Sequence, residues 1–532
     1  MINKTLKGGE NMSRLIITIT LFISLAYAQT SKIIWMNYTA TGCITCHRIA
    51  SVKMNDTLYI FGTFHYNNNK LNPFLIAVDS SLNIKWYKAF SHSLSNLAID
   101  KMVKINDSLI AISGGHTRNG NQCPDRNCTF FGIFNIKTQN FVWAKYRQTG
   151  SSGGGHISAT AIDFDGNNLI IGAQSMIDSG GSWLLKVDLN GNILWQKIIH
   201  RGGGEYSVMD VVFDGTNYVY LIRNISGENP TLVKFGSNGN LIWAKNYDFN
   251  AYDYAYKLLK DIDGYVVVGF KCSNFNCENS NNDSIFVFKT DFNGNIIWSK
   301  LYSSGVAGRA YDIALDYDGN YLISGFIRAS NSSSYPIVLK VNRSNGNLIW
   351  SRIWNTPPPN TSSNKAKGVI SIGQGKFYLL TFIGSGTDTS GGFAIIREDT
   401  NPNLVGHCTQ PINFTVTSRN PAVSDLSVDT ANANFSLFDL SLTPYNPTIN
   451  QTPTCEITPI SNYEFYKSCS FEIRANRGYI DIKLRGRNNV IVYDIIGNVI
   501  YSEFFEGERR IRVKDGIYII KVGNERVKMV VR

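Results

Sequence analysis

A chain of 532 residues, 43% hydrophobic and only 17% charged, is long enough for one large repeat domain plus an appendage and too apolar to be a disordered polyelectrolyte. Its 51 Lys and Arg against 40 Asp and Glu leave a formal charge of +11, a hint of acidic partners such as anionic polysaccharide or lipid headgroups. No Lys/Arg run is interleaved with aromatics, so the charge reads as a diffuse basic surface and nucleic acid is not an expected partner.

The N-terminus reads as a secretory signal peptide over residues 1–28. Met12-Ser13-Arg14 is a basic start that fits the true initiation point, Leu15 to Leu25 is a short apolar core, and Ala26-Tyr27-Ala28 is a small-residue cleavage site. No other apolar stretch approaches the ~20 residues of a membrane span, so the mature chain is expected to lack a transmembrane segment.

Nine cysteines in an exported chain favour disulfides over metal thiolates. Spacing suggests Cys43 with Cys46, Cys123 with Cys128, Cys272 with Cys277, and Cys408 with Cys455, leaving Cys469 single; the connectivity stays open.

One phrase recurs: Asn192-Ile-Leu-Trp195, Asn240-Leu-Ile-Trp243, Asn295-Ile-Ile-Trp298 and Asn347-Leu-Ile-Trp350, with weaker copies at Trp35, Trp86 and Trp143. Successive tryptophans stand 48 to 57 residues apart, the length of four short strands and their turns. In the unit from Arg309 to Trp350, Asp318-Gly319 and Asn345-Gly346 supply the positive φ angles of tight hairpins, so each unit is expected to be a four-stranded antiparallel meander. The last unit ends at Arg397 without a tryptophan strand, while the strand around Trp35 stands alone after the cleavage site. Joining the two closes a ring without an exposed edge, which predicts a seven-bladed β-propeller over residues 29–400. A count of six or eight stays open at the irregular unit around Trp86 to Trp143. The tryptophans are read as structural, packing between blades with their indole N–H on neighbouring backbone.

The Gly-Asn-x-x-Trp phrase resembles the repeat of quinoprotein-type propellers, a group that includes pyrroloquinoline-quinone dehydrogenases and purely structural scaffolds. That resemblance implies architecture only. The adjacent-cysteine pair associated with the quinone site is absent, so the cofactor is not carried over.

Residues 401–461, rich in Thr, Asn, Pro and Ser, read as an extended linker or loosely stranded spacer. Residues 462–532 return to strand patterning and read as a small β-sandwich. Val492-Tyr-Asp494, Gly497, then Gly516-Ile-Tyr518 and the terminal Lys528-Met-Val-Val-Arg532 resemble the type A C-terminal sorting domain of bacterial type IX secretion cargo. The resemblance implies export across the outer membrane by that machinery, with secretion or surface attachment, and Gly497, Gly516, Tyr518 and Lys528 carry the motif.

Cys43-Ile-Thr-Cys46-His47 has the pattern for covalent attachment of c-type haem, with His47 as axial ligand; a local disulfide beside an unrelated histidine is the alternative. His47, His92, His156 and His200, with His65 and His116, sit in two loop classes that emerge on one face of a propeller. Asp163-Phe-Asp165-Gly166, Asp261-Ile-Asp263-Gly264 and Asp316-Tyr-Asp318-Gly319 resemble the start of a calcium loop but lack the bidentate Glu, and hairpin turns explain them better. No nucleophile elbow, zinc-protease pair or phosphate loop is found. The expectation is an all-β, secreted or surface-attached propeller without a catalytic centre or required cofactor, binding an extracellular protein or glycan. A haem-bearing redox protein and a glycan-active enzyme are the alternatives.

Overall fold

The computed structural model describes residues 30–36, 49–66, 70–91, 98–115, 128–148, 159–174, 181–200, 206–224, 229–272, 283–328, 333–354, 363–373, 375–384, 391–400, 408–426, 428–432, 438–439, 443–445, 449–460, 463–467, 471–476, 479–494, 498–514, 516–523 and 525–531. The chain divides into two compact units, Ser31–Thr454 and Met1–Thr30 with Cys455–Arg532.

The larger unit starts with β1 (Thr30–Met36) and continues in antiparallel meanders. The first holds β2 (Ala50–Met54), β3 (Thr57–Tyr66), β4 (Lys70–Val78) and β5 (Ile84–Ser91); the second β6 (Ala98–Lys104), β7 (Leu109–Gly115), β8 (Cys128–Asn135) and β9 (Asn140–Gln148). The third holds β10 (Ala159–Phe164), β11 (Asn168–Gln174), β12 (Ser182–Asp188) and β13 (Ile193–His200); the fourth β14 (Tyr206–Phe213), β15 (Tyr218–Asn224), β16 (Thr231–Phe235) and β17 (Leu241–Asp248). The fifth holds β18 (Tyr252–Lys260), β19 (Tyr265–Cys272), β20 (Ser284–Thr290) and β21 (Ile296–Ser303); the sixth β22 (Ala307–Leu315), β23 (Tyr321–Arg328), β24 (Ser334–Val341) and β25 (Leu348–Ile353). The last has only β26 (Ser363–Gly373), β27 (Lys376–Gly384) and β28 (Gly391–Asp399), and it is β1 that pairs antiparallel with β28, from Ser31 opposite Ile396 to Trp35 opposite Gly392.

This arrangement is mostly β and propeller-like. Each first strand lies beside the next, from β2 and β6 through to β22 and β26, and β26 also lies beside β2. The first and last meanders share one core: Leu58, Ile60, Phe74 and Ile76 pack with Tyr378, Leu380, Phe393 and Ile395, and the Phe74 and Phe393 rings stack at 5.7 Å.

Local chemistry fixes the turns before the tryptophan strands. Asp188 accepts the backbone amides of Asn190 and Asn192 at 2.9 and 2.8 Å, and Asp291 repeats the turn with Asn293 and Asn295. Gly191, Gly239, Gly294 and Gly346 take positive φ there. A side chain at Gly346 would also collide with the preceding sheet, since a Cβ would stand 2.6 Å from the Trp298 ring. The indole N–H groups donate as the sequence suggested: Trp143 to the Leu189 carbonyl at 2.8 Å, Trp195 to Ser237 at 3.1 Å, Trp298 to Arg343 at 3.1 Å and Trp350 to Thr400 at 3.0 Å. These four phrases are therefore inter-sheet clamps.

Most sheets are five-stranded because the segment read as a spacer is a belt. Strand β29 (Gln410–Pro411) pairs with β25, β30 (Thr415–Ser418) with β21, β31 (Ala422–Asp425) with β17 and β32 (Asp429–Asn432) with β13. The short β33 (Phe438–Asp439) pairs with β9, and β34 (Thr443–Tyr445) pairs with β5. The belt visits the sheets in reverse order and covers the outer edge strand of each. Ile412, Phe414 and Val416 are partly buried against the cluster containing Trp298 and Tyr302, and Leu426 and Val428 against the one containing Tyr220 and Phe235.

In the smaller unit, the second half of β35 (Ile449–Ile460), which begins in the larger unit, pairs through Glu456–Ile460 with β36 (Tyr463–Lys467), which leads into β37 (Phe471–Asn476) and the long β38 (Tyr479–Asp494). A register shift between Leu484 and Asn488 lets β38 pair with β39 (Val499–Arg512) along its length and with β40 (Gly516–Val522) in its second half, and β40 pairs with β41 (Glu525–Val531). The folded sheet encloses one core, including Ile473, Ile482, Val492, Ile520 and Met529.

Candidate functional site

Six first strands share a β-bulge, at Ile99/Lys101, Ala159/Ala161, Val208/Asp210, Ala255/Lys257, Ala310/Asp312 and Ala366/Gly368. Glycines opposite make room for it: a Cβ on Gly325 would stand 1.9 Å from the Arg309 carbonyl oxygen and one on Gly269 2.1 Å from that of Tyr254. A bulge re-aims the following side chain. Three of these strands thereby bring charges together, with Lys101 at 3.5 Å and Lys257 at 3.1 Å from the two oxygens of Asp210. The amide of Leu258 donates to Asp210 at 3.1 Å, and that of Val369 donates to Asp312 at 3.0 Å.

Burial opposes the charge on Asp210, yet Lys101 and Lys257 outweigh it and hold the carboxyl below its usual range. For Lys101 burial dominates, helped by the neighbouring Lys257, and the amine is pushed down despite Asp210. Lys257 is pushed the other way, since Asp210 and Asp312 together exceed its burial cost. Burial raises Asp312, and it raises Asp163, whose carboxyl accepts the amides of Phe164 and Phe213, to about 6.

Beside this cluster, at the start of the first strands, runs a ladder of rings and cations across the fourth to last meanders. Tyr254 and Tyr256 stack on Phe270 at 5.1 and 5.9 Å, Tyr256 meets Tyr311 edge-on at 4.8 Å, and Tyr311 stacks on Phe326 at 5.7 Å. The Arg223 guanidinium lies 5.1 Å from the Tyr254 ring and Arg309 4.3 Å from Phe270. Lys365 lies over Phe326 at 5.3 Å and Lys367 over Tyr311 at 3.2 Å. Tyr254, Tyr256, Tyr311, Arg223, Lys365 and Lys367 are all half-buried, while Phe270 and Phe326 form the floor. Arg309 also binds Asp283 through two nitrogens, at 2.9 and 2.8 Å.

The Asp-Gly turns between first and second strands carry a different, structural arrangement. Tyr218 donates to Asp165 at 2.7 Å while Lys186 donates to Tyr218 at 2.6 Å; Tyr265, Asp214 and Lys234 repeat this one sheet on. Tyr321, Asp261 and Lys289 form the next copy, joined by Arg343. These carboxylates are occupied by inter-sheet bonds, so the turns act as struts.

Of the residues singled out in the sequence, Cys43, Cys46, His47, Cys123, Cys277 and Gly497 lie outside the described residues, as do His92, His116 and His156. Cys128 begins β8, Cys455 lies within β35, His65 lies on β3 and His200 ends β13. Cys272 and Cys408 are disulfide-bonded. Gly516 opens β40, Tyr518 is buried with its hydroxyl donating to the Lys514 carbonyl at 2.8 Å, and Lys528 pairs through its backbone with Ile519. On the same unit a shallow depression lined by Glu472, Asp481, Lys483, Glu508 and Arg510 is neutralised by cross-strand pairs such as Arg510–Asp481 and Lys483–Glu508, both at 2.6 Å. Among the described residues no group of three or more His, Cys, Asp or Glu is placed to hold a metal ion, and no helix is long and apolar enough to cross a membrane.

No family model matches the sequence, and a search of curated proteins finds no match. Solved structures match at low identity. They include the quinohemoprotein alcohol dehydrogenase from Comamonas testosteroni (9% identity, TM-score 0.38, 68% of this chain and 76% of that one) and the polysaccharide lyase Uly1 (10%, 0.40, 69% and 92%). Drosophila semaphorin 2a is another (8% identity, TM-score 0.37, 93% and 99% coverage). At these identities and scores the likenesses say nothing of activity.

Proposed function

We propose that the chain is a closed seven-bladed propeller, exported from the cell, that acts as a non-catalytic binding protein through the face carrying the ring-and-cation ladder. The pairing of β1 with β28 and the core shared by the first and last meanders support closure. The ladder is the observation that carries the binding function: half-buried tyrosines, arginines and lysines on successive meanders form a broad amphipathic surface of the kind that holds ligands. The first-strand carboxylates that a paired-acid hydrolase would use are engaged otherwise, Asp210 by two lysines, and Asp163 and Asp312 by backbone amides. Export rests on the signal-like N-terminus and on the resemblance of residues 462–532 to a sorting domain.

An array of glycans and extracellular proteins tests this reading. The mature chain is expected to bind a subset, to bind it more weakly in Arg223→Gln/Lys367→Gln, and to leave the bound ligand chemically unchanged. Turnover of that ligand, or binding indifferent to Arg223→Gln/Lys367→Gln, would refute the proposal, and a Soret band after expression with a cytochrome c maturation system would replace it with electron transfer.

A further inference from the structure

We infer that the ligand of this face is a polyuronate, an acidic polysaccharide bearing one carboxylate per sugar, laid along the ladder; the inference rests on the binding function proposed above. Three observations lead to it.

The cations are spread over three meanders, the fourth, sixth and last, rather than gathered at one point, with Arg223 on β15, Arg309 on β22, and Lys365 and Lys367 on β26. A chain with repeated single charges can meet them in turn, whereas a compact anion meets one. Of the nearby carboxylates, Asp253 accepts the Phe249 amide at 2.8 Å, Asp163 that of Phe213 at 2.7 Å and Asp312 that of Val369 at 3.0 Å, while the buried Asp283 is the one that holds a ladder cation, Arg309, at 2.9 and 2.8 Å. The Arg223 Nε is buried and has no hydrogen-bond acceptor among the described residues, although its guanidinium rests over Tyr254 and Tyr256. A buried donor without a partner is costly, and a planar carboxylate is the acceptor that a guanidinium fork fits. Between the cations stand phenols, Tyr254, Tyr256 and Tyr311, whose hydroxyls suit a chain that is hydroxylated between its charges. That last feature separates a polyuronate from an acidic peptide.

The experiment is affinity electrophoresis of the full mature chain through gels containing polygalacturonate, with dextran and poly-L-glutamate as comparison matrices. Polygalacturonate is expected to retard the chain, about tenfold more weakly in Arg223→Gln/Lys367→Gln and less at high salt, as an exposed ionic contact requires. Lys483→Gln, on the other unit, should migrate as the parent does, and unchanged circular dichroism of the double variant shows that it is folded. Equal retardation by dextran would overturn the ionic basis, and stronger retardation by poly-L-glutamate would overturn the saccharide; both leave a binding face standing. No retardation by polygalacturonate, with binding elsewhere on the array, removes the polyuronate alone. A blank array as well removes the binding function.

Discussion

Replacing Asp210 by Asn tests whether the charges on the first strands hold the meanders together. The carboxylate is only 2% exposed and sits between two ammonium groups at 3.5 and 3.1 Å, so the variant strands two cations beside each other. Breaking a buried pair in this way costs about 3–5 kcal/mol, and because the Lys101 and Lys257 side chains are each 25% exposed, solvent takes up part of that and about 3 kcal/mol is expected near pH 6. The cost should depend on pH. Without Asp210 the folded-state pKa of Lys101, already low through burial, falls further below its unfolded value. The unfolded chain then binds more protons, so stability rises as pH passes the folded pKa, and the deficit should shrink by about 1 kcal/mol or more at pH 9. Urea unfolding of parent and variant at the two pH values measures both effects, and Lys101→Met in the Asp210→Asn background should recover part of the loss. A cost under about 1 kcal/mol at pH 6, or the same cost at pH 9, would refute the account.

Gly346→Ala should destabilise by about 2–4 kcal/mol, adding a collision with Trp298 to the positive-φ penalty, while Gly166→Ala, with positive φ but nothing within 4 Å of its Cβ, should cost only about 1 kcal/mol; chemical denaturation of the two variants isolates the clamp. Asp163, raised to about 6 from 3.8, contributes stability that is complete below its unfolded pKa and lost as pH rises through about 6. Asp163→Asn should therefore be neutral to stabilising by about 1–2 kcal/mol at pH 7, and destabilising by about 1 kcal/mol at pH 4, where only the amide bond to Phe213 or Phe164 is lost; a Tm shift of the same sign at both pH values would contradict this.

The scaffold was legible because its determinants are local. Asp-x-Asn-Gly-Asn dictates a turn, the following tryptophan binds the next turn, and the missing strand after Arg397 could be matched with the stray one at Trp35 by counting alone. The candidate site was not, since Lys101, Asp210 and Lys257 lie on three separate meanders and meet only through bulges that shift each side chain by one position. The one local trace was a glycine such as Gly269 or Gly325 set inside an otherwise β-branched or aromatic second strand, the mark of a bulge opposite. The belt hid behind composition. Its Thr, Asn and Pro content spoke for a linker, while the alternation of Ile412, Phe414 and Val416, which seats it on the sheets, spans too few residues to stand out.

The belt also bears on where a ligand is taken. Without it the fourth strands of six meanders, including the eight-residue β13, β17 and β21, would present long unpaired edges, the surfaces to which an extended peptide adds as an extra strand. With it those edges are replaced by strands of two to four residues, too short to template another chain. Recognition by strand addition is thereby discouraged along the outer edges of these meanders. The first strands are the opposite case: their bulges break the regular ladder and aim charged side chains inward, and their starting residues carry the tyrosines and cations in register from one meander to the next. Side chains rather than backbone are what this scaffold offers a partner, and that is the chemistry suited to a hydroxylated polyanion rather than to a peptide strand.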